Sequence, residues 1–288
     1  MGPRTKPEAG SWELEPGARR HPLILVRGGG DLATGVAARL WRSGFAVVVT
    51  EIARPRAVRR LVALAEAVYA GQVEVEDLRG VLVDGEGEVR RALDTRAIPV
   101  VVDPEADIRL RLEPGALVDG RMRKAPPELG MDGAPLVIGL GPGFTAGRDC
   151  HAVVETNRGH TMGRVAWEGM ALPDTQIPEP VAGADVERVL RAPADGVLQA
   201  RLDLGSLVRK GEAIAEVDGT VLKAPFDGAL RGLLHDGLSV ERGEKIGDLD
   251  PRADPTYCRL ISDKSLAVGG GVLEALLSRL EIRRLLGG

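Results

Sequence analysis

Two glycine-rich stretches and one dense polar segment hold most of the groups in this chain that could do chemistry. The first is Arg27-Gly28-Gly29-Gly30-Asp31-Leu32-Ala33-Thr34-Gly35, which follows the apolar run Leu23-Ile24-Leu25-Val26. Gly28, Gly30 and Ala33 fit the spacing G-x-G-x-x-G/A, with Ala in the third place. In that pattern Gly28 allows a tight turn, Gly30 lets the backbone approach a pyrophosphate, and the first amides of the next helix face the anion. Glu51 ends the following apolar run, where a carboxylate would accept both hydroxyls of a ribose and favour an NAD-type ligand over a 2′-phosphate. Asp31 sits inside the loop, either at the ligand or as a helix cap, and its charge would repel a phosphate. The competing reading is a glycine turn kept for packing alone.

The second loop is Gly139-Leu140-Gly141-Pro142-Gly143-Phe144-Thr145-Ala146-Gly147, with Gly139, Gly141 and Gly143 as candidate ligand contacts. It is either a second wall of the same crevice or a plain linker. The polar segment runs from Asp149-Cys150-His151 through Glu155-Thr156-Asn157-Arg158-Gly159-His160 to Gly163-Arg164-Val165. Arg158 and Arg164 could clamp a carboxylate or phosphate with paired hydrogen bonds. Glu155 and His160 are the candidate catalytic pair, suited to proton transfer. No H-E-x-x-H or C-x-x-C spacing supports a metal, so none is expected. Cys150 would be nucleophilic only as a thiolate, and nothing near it in sequence secures that form.

These segments need elements to position them. The run from Leu23, a helical pattern over residues 32–43, a stop at Gly44 and a second run from Phe45 to Glu51 make one β-loop-α-β unit of about 30 residues. A helix is expected over residues 56–70, from the spacing of Val58, Leu61, Val62, Ala65 and Val68, and another over residues 86–95. Short strands are expected at 80–83, 98–103, 116–119 and 135–140. This alternation predicts an α/β fold, a doubly wound, mostly parallel, Rossmann-like sheet over residues 22–150 that binds a nucleotide. Residues 1–21 read as a disordered extension, and 151–184 as a polar hairpin and linker.

Beyond residue 184 the chain repeats itself. Arg191-Ala192-Pro193-Ala194-Asp195-Gly196-Val197-Leu198 matches Lys223-Ala224-Pro225-Phe226-Asp227-Gly228-Ala229-Leu230, a 32-residue offset without gaps. Gly205 matches Gly237, Gly211-Glu212 matches Gly243-Glu244, and Ile214 matches Ile246. Two half-barrels that cover each other's edges are the expected result over residues 185–252, an all-β barrel-sandwich hybrid resembling the biotinyl/lipoyl hammerhead. The hairpin between the halves, Glu216-Val217-Asp218-Gly219-Thr220, has no lysine, so neither biotin nor lipoate is expected. The tail, residues 253–288, is expected to form a helical segment packed on the α/β core, with Gly269-Gly270-Gly271 as a hinge beside Lys264.

Composition narrows the function. The chain has 288 residues, 44% hydrophobic and 28% charged, with a formal net charge of -4. That is too apolar for a disordered chain, and the mild negative balance argues against nucleic acid as a partner. No apolar stretch approaches the ~20 residues of a membrane helix, and the N-terminal residues lack the apolar core of a signal peptide. Two cysteines cannot staple a secreted scaffold, so a cytoplasmic protein is the expectation, with assembly as a homo-oligomer left open.

Three stretches together resemble one family: Arg27 to Gly35, the second loop with Glu155 to His160 and Gly163 to Val165, and Gly247-Asp248-Leu249-Asp250-Pro251-Arg252. The chain is similar to the YqeB-type proteins of the selenium-dependent molybdenum hydroxylase system. Gly29 stands where that family more often has Ala, and Pro173-Asp174-Thr175-Gln176-Ile177-Pro178 carries Gln where it has Gly. The resemblance implies an accessory role in maturing a molybdenum hydroxylase, with the apo-enzyme or other maturation proteins as partners. A nucleotide, an NAD-like dinucleotide or a molybdopterin-type molecule is the implied ligand. The alternatives are an NAD-dependent oxidoreductase with His160 as acid/base, and a non-catalytic scaffold with a vestigial nucleotide site.

Overall fold

The computed structural model describes residues 22–122, 127–173 and 186–287. The expected N-terminal extension, and the stretch from Asp174 to Pro178, lie outside the described residues. The chain opens with β1 (Leu23–Arg27), α1 (Asp31–Arg42), β2 (Ala46–Glu51), α2 (Ala67–Ala70), β3 (Gln72–Val75), β4 (Leu78–Leu82), α3 (Gly85–Asp94) and β5 (Ile98–Val102). Next come α4 (Arg109–Leu112), β6 (Ala116–Asp119), β7 (Val137–Leu140), β8 (Thr145–Ala146), β9 (Ala152–Val154), β10 (Val165–Ala166) and β11 (Gly169–Met170).

These strands form a nine-stranded sheet ordered β10-β9-β7-β6-β1-β2-β5-β4-β3, and β8 pairs with β11 in a small sheet of its own. The expected doubly wound Rossmann-like sheet is corrected by this topology. The sheet is mixed: β3 and β10 close its two edges antiparallel to their neighbours. On the β6 side the helical crossovers are missing. Among the described residues the β6–β7 connection holds only a 3-10 turn at Met131–Gly133, and the β7–β9 connection passes through β8. The cause is compositional. Pro127, Gly130, Gly133 and Pro135, and then the second glycine loop, cannot propagate a helix.

Cover for that part of the sheet comes from the far end of the chain. Residues 189–250 supply β12 (Val189–Arg191), β13 (Gly196–Ala200), β14 (Leu207–Val208), β15 (Ala213–Val217), β16 (Thr220–Lys223), β17 (Gly228–Leu233), β18 (Ser239–Val240) and β19 (Lys245–Asp250). Helices α5 (Asp263–Leu277) and α6 (Leu280–Gly287) follow. Val268, Val272, Ala275 and Leu276 of α5 join Ile138, Leu140, Val154 and the buried face of α1 in one core. The three glycines expected as a hinge are inside α5, and one of them, Gly269, lets it approach α1. A Cβ on Gly269 would lie 2.7 Å from the carbonyl oxygen of Gly35. Gly35 and Gly271 leave room in the same way for Ser265 and for the carbonyl of Gly163.

The repeat yields two four-stranded antiparallel sheets, β12-β19-β17-β14 and β16-β15-β13-β18, in which repeat-equivalent strands hold equivalent places. The hairpin between the halves turns at Asp218 (φ 43°) and Gly219 (φ 80°). The second half docks on the segment after β2. Leu233 donates its N–H to the carbonyl of Val58 at 2.9 Å, and the Tyr69 ring stacks on His235 at 3.8 Å. That segment breaks the helix expected over 56–70 into 3-10 turns at Arg60–Val62 and Leu64–Glu66, with only α2 helical. Its backbone is committed to tertiary partners instead. No helix among the described residues is long and apolar enough to cross a membrane.

Candidate functional site at the carboxyl edge of the sheet

Seven of the nine strands run parallel, so the loops after β1, β2, β5, β6, β7 and β9 share one edge. At Gly28 the chain turns with φ +89°, a conformation that favours glycine. Its N–H donates to the carbonyl of Thr50 at 2.7 Å. Gly29 donates its N–H to Oε2 of Glu51 at 2.7 Å, and its carbonyl accepts from the N–H of Ala65 (2.8 Å) and the hydroxyl of Thr34 (3.1 Å). Thr34 Oγ1 in turn accepts the N–H of Leu64 at 2.9 Å. The broken helix after β2 therefore clamps the back of the glycine turn.

Gly30 differs from its neighbours. It caps α1 without a side-chain hydrogen bond, and nothing lies within 4 Å of the place where its Cβ would be. The N-terminus of a twelve-residue helix is thus open at Gly30, with its amides and dipole unshielded by a cap. Ala33 is buried beneath Gly120, so its small size serves packing. Asp31 is held away from this opening. Its Oδ2 accepts from Arg59 Nη1 at 2.8 Å and its Oδ1 from the Ser265 hydroxyl at 2.9 Å.

Glu51 stands beside the opening, with its second oxygen accepting the N–H of Ile52 at 2.8 Å. The register pairs Glu51 with Val102 of β5, and Val100 with Leu82 of β4, so these four side chains share the α1 face of the sheet. Leu82, Val102 and the adjoining Ile52 are 38%, 42% and 40% exposed, unusual for apolar residues ending central strands.

The second glycine loop lies on the same edge, two strands from β1, or about 10 Å away. It is filled by its own neighbours: the Phe144 ring folds onto Gly139, and Thr156 and Met122 pack at Gly141 (φ +68°). Gly143 turns with φ +105°. The segment after β6 spans both loops, with Arg121 over Gly28 and Met122 against Gly141.

The polar segment after β9 is largely self-satisfied. Glu155 is buried, with Oε1 accepting the N–H groups of Thr156 and Asn157 and Oε2 that of Leu172, each at 2.7 Å. His160 has an exposed side chain, and its carbonyl accepts from Arg164 Nε at 3.2 Å. Arg158 makes a bidentate pair with Asp263, at 2.6 and 2.7 Å. The structure thus brings Gly28, Gly30 and Glu51 together, and commits Glu155 and Arg158 to binding the chain's own groups. Burial pushes the Cys150 thiol up to about 11. No cluster of three or more metal-ligating side chains appears among the described residues. The sequence reading did not single out Arg59, Ser265, Arg121 or the buried Arg27. Only Arg27 carried a signal, a charge ending an otherwise apolar strand.

No protein-family model matches the chain. Among curated proteins it is 45% identical over 257 residues to "Uncharacterized protein YqeB" of Escherichia coli (strain K12), an alignment covering 89% of this chain. The chain is similar to YqeB. That identity supports the YqeB family indicated by the three motif stretches. The chain spans about half of the relative's length, 48%. Among solved structures, an aspartoacylase family protein from Mesorhizobium loti aligns over 80% of this chain and 85% of its own, at 10% identity and a TM-score of 0.25. The ectoine utilization protein EutE (DoeB) from Ruegeria pomeroyi aligns over 80% and 86%, at 12% identity and a TM-score of 0.24. Likenesses this weak carry no argument about fold or chemistry.

Proposed function

We propose that this chain binds a nucleotide or phosphate-bearing cofactor along the carboxyl edge of its sheet, as an accessory protein in the maturation of a selenium-dependent molybdenum hydroxylase. One observation carries the binding half. Along the edge lie, in order, the exposed apolar side chains of Leu82, Val102 and Ile52, the Glu51 carboxylate, and the open helix start at Gly30. A nucleotide has the matching order: a flat ring, a sugar diol and a phosphate. Glu51 accepts diol hydroxyls, and the amides from Gly30 onward face the phosphate.

The accessory role rests on the likeness to YqeB and on the motifs that carry it. It is supported further by where the reactive groups are spent: Glu155 on main-chain amides, and Cys150 as a protonated thiol. The partner in this reading is the apo-hydroxylase, met in the cytoplasm, where the two buried, unpaired cysteines Cys150 and Cys258 suit a reducing environment.

Calorimetric titration with NAD⁺ and ADP tests the binding half. Glu51→Gln removes one charge-assisted contact, about 1.5–3 kcal/mol, so affinity should fall at least about tenfold. Equal affinity in wild type and variant contradicts the site. Steady oxidation of a free metabolite with NAD⁺ would favour an oxidoreductase instead.

A further inference from the structure

We propose that Arg27 and Arg121 form a second anion site at the carboxyl ends of β1 and β6, filled from within by the Glu128 carboxylate, which a carboxylate or phosphate group of a small ligand replaces. The site is separate from the Glu51–Gly30 row and stands whether or not that row holds a nucleotide.

Among the described residues Arg27 is the largest fully buried side chain. It is in register with Asp119 of β6, yet the two are 3.6 Å apart. Asp119 is instead the bidentate partner of Arg121, whose Nε and Nη2 donate to its two oxygens at 2.9 and 2.6 Å. Arg27 donates instead from Nη2 to the carbonyl of Pro104 at 2.7 Å and from Nη1 to Glu128 at 3.5 Å. Among the described residues no acceptor meets its buried Nε. A buried guanidinium with one orphaned donor and its acids at arm's length is under-compensated. Burial first, and then repulsion from Arg121, hold its pKa below the ordinary arginine value; Glu105 and Asp119 oppose this and Arg109 adds to it.

The second arginine is brought in by the glycine turn. The Arg121 side chain crosses Gly28 so closely that a Cβ there would sit 3.0 Å from its Cγ. Both guanidiniums therefore point to one place, and Glu128 occupies it, at 2.7 Å from Arg121 and 3.5 Å from Arg27. Glu128 differs from Asp119 in the respect that matters. Asp119 is 4% exposed and fixed on a strand, whereas Glu128 is 35% exposed and reaches in from the β6–β7 connection. Glu128 lies off the sheet and is the more exposed of the two acids, so its displacement leaves the paired strands in place. The two N–H donors it vacates, Arg121 Nη2 and Arg27 Nη1, suit an oxygen of a carboxylate or a phosphate.

Titration calorimetry with inorganic phosphate and, separately, malonate tests this and distinguishes the two anion types. In Glu128→Gln the internal competitor is neutral, so the dissociation constant for at least one probe should fall at least about tenfold, equal to about 1.4 kcal/mol. The gain should vanish in Glu128→Gln/Arg121→Gln and persist in Glu128→Gln/Glu51→Gln. Unchanged affinity for both probes in Glu128→Gln overturns the proposal, as does a gain that survives loss of Arg121. As a check on folding, the preferred anion should raise the melting temperature of Glu128→Gln more than that of wild type; equal shifts also overturn it.

Discussion

Glu155 gives the sharpest separation between a catalytic and an architectural carboxylate. Its two oxygens accept three main-chain N–H groups at 2.7 Å, from Thr156, Asn157 and Leu172. Its own backbone is paired as well, N–H to the Arg164 carbonyl at 3.0 Å and carbonyl from the Gly163 N–H at 2.8 Å. The side chain thus ties the turn after β9 to the chain leaving β11. Glu155→Ala removes all three hydrogen bonds and strands the donors in a buried place. Each such loss costs about 1–3 kcal/mol, and some water enters, so a total of about 3–5 kcal/mol is expected. Glu155→Gln keeps Oε1 for Thr156 and Asn157 but sets an amide donor against the Leu172 N–H, for about 1.5–3 kcal/mol. Urea unfolding of wild type and both variants measures these directly. Loss of stability ordered Ala, then Gln, then wild type is the expected result. If Glu155→Ala unfolds within about 0.5 kcal/mol of wild type, the architectural assignment is wrong.

Three further outcomes follow from the same packing and charge. The Cys150 thiol, pushed up to about 11 by burial, should resist a thiol reagent at pH 8 in the native protein and react on unfolding; rapid native labelling would contradict its burial. Asp263, held down to about 2 first by its hydrogen bond to Arg158, is depressed relative to the usual ~3.9, so its stabilisation is present above about pH 4 and is lost as pH falls towards 2. Both partners are well exposed, so the effect is below about 1 kcal/mol, and carbon-detected NMR titration should show Arg158→Ala returning Asp263 to the ordinary range. Gly271→Ala would drive a methyl into the carbonyl of Gly163 and should cost about 1–3 kcal/mol by thermal or urea unfolding, whereas Gly270→Ala, with open space around it, should be neutral or stabilising.

Much of the first unit was legible because local signals and tertiary structure agree there. The apolar run before Arg27, the glycine turn and the stop at Gly44 each dictate one local conformation, and β1, α1 and β2 follow them closely. The 32-residue repeat was equally direct, since matched residues produce matched strands. The segment after β2 misled for a physical reason. Its apolar spacing suits a helix, but Leu64 and Ala65 donate their N–H groups to Thr34 and Gly29, and Val58 offers its carbonyl to Leu233. Long-range partners outweighed local propensity. The Gly269-Gly270-Gly271 run looked like a hinge because glycine signals both flexibility and close approach; only the position of α1 decides between them. The doubly wound sheet failed because strands were visible beyond β6 but the missing crossover helices were not. At the candidate site, Gly28, Gly30 and Glu51 were readable from spacing. Arg27 and Arg121 were not, because their meaning lies in burial and in Asp119 being already engaged.

The central claim is that the open helix start at Gly30, beside Glu51, receives the phosphate of a nucleotide-like ligand. Amide NMR of the wild-type protein titrated with ADP or NAD⁺ tests it most directly. The account predicts that the largest, saturable shifts fall on the N–H groups of Gly29, Gly30 and Leu32, with smaller shifts at Ile52 and Val102. Saturable shifts confined to residues away from this edge, or none with either nucleotide, would contradict it.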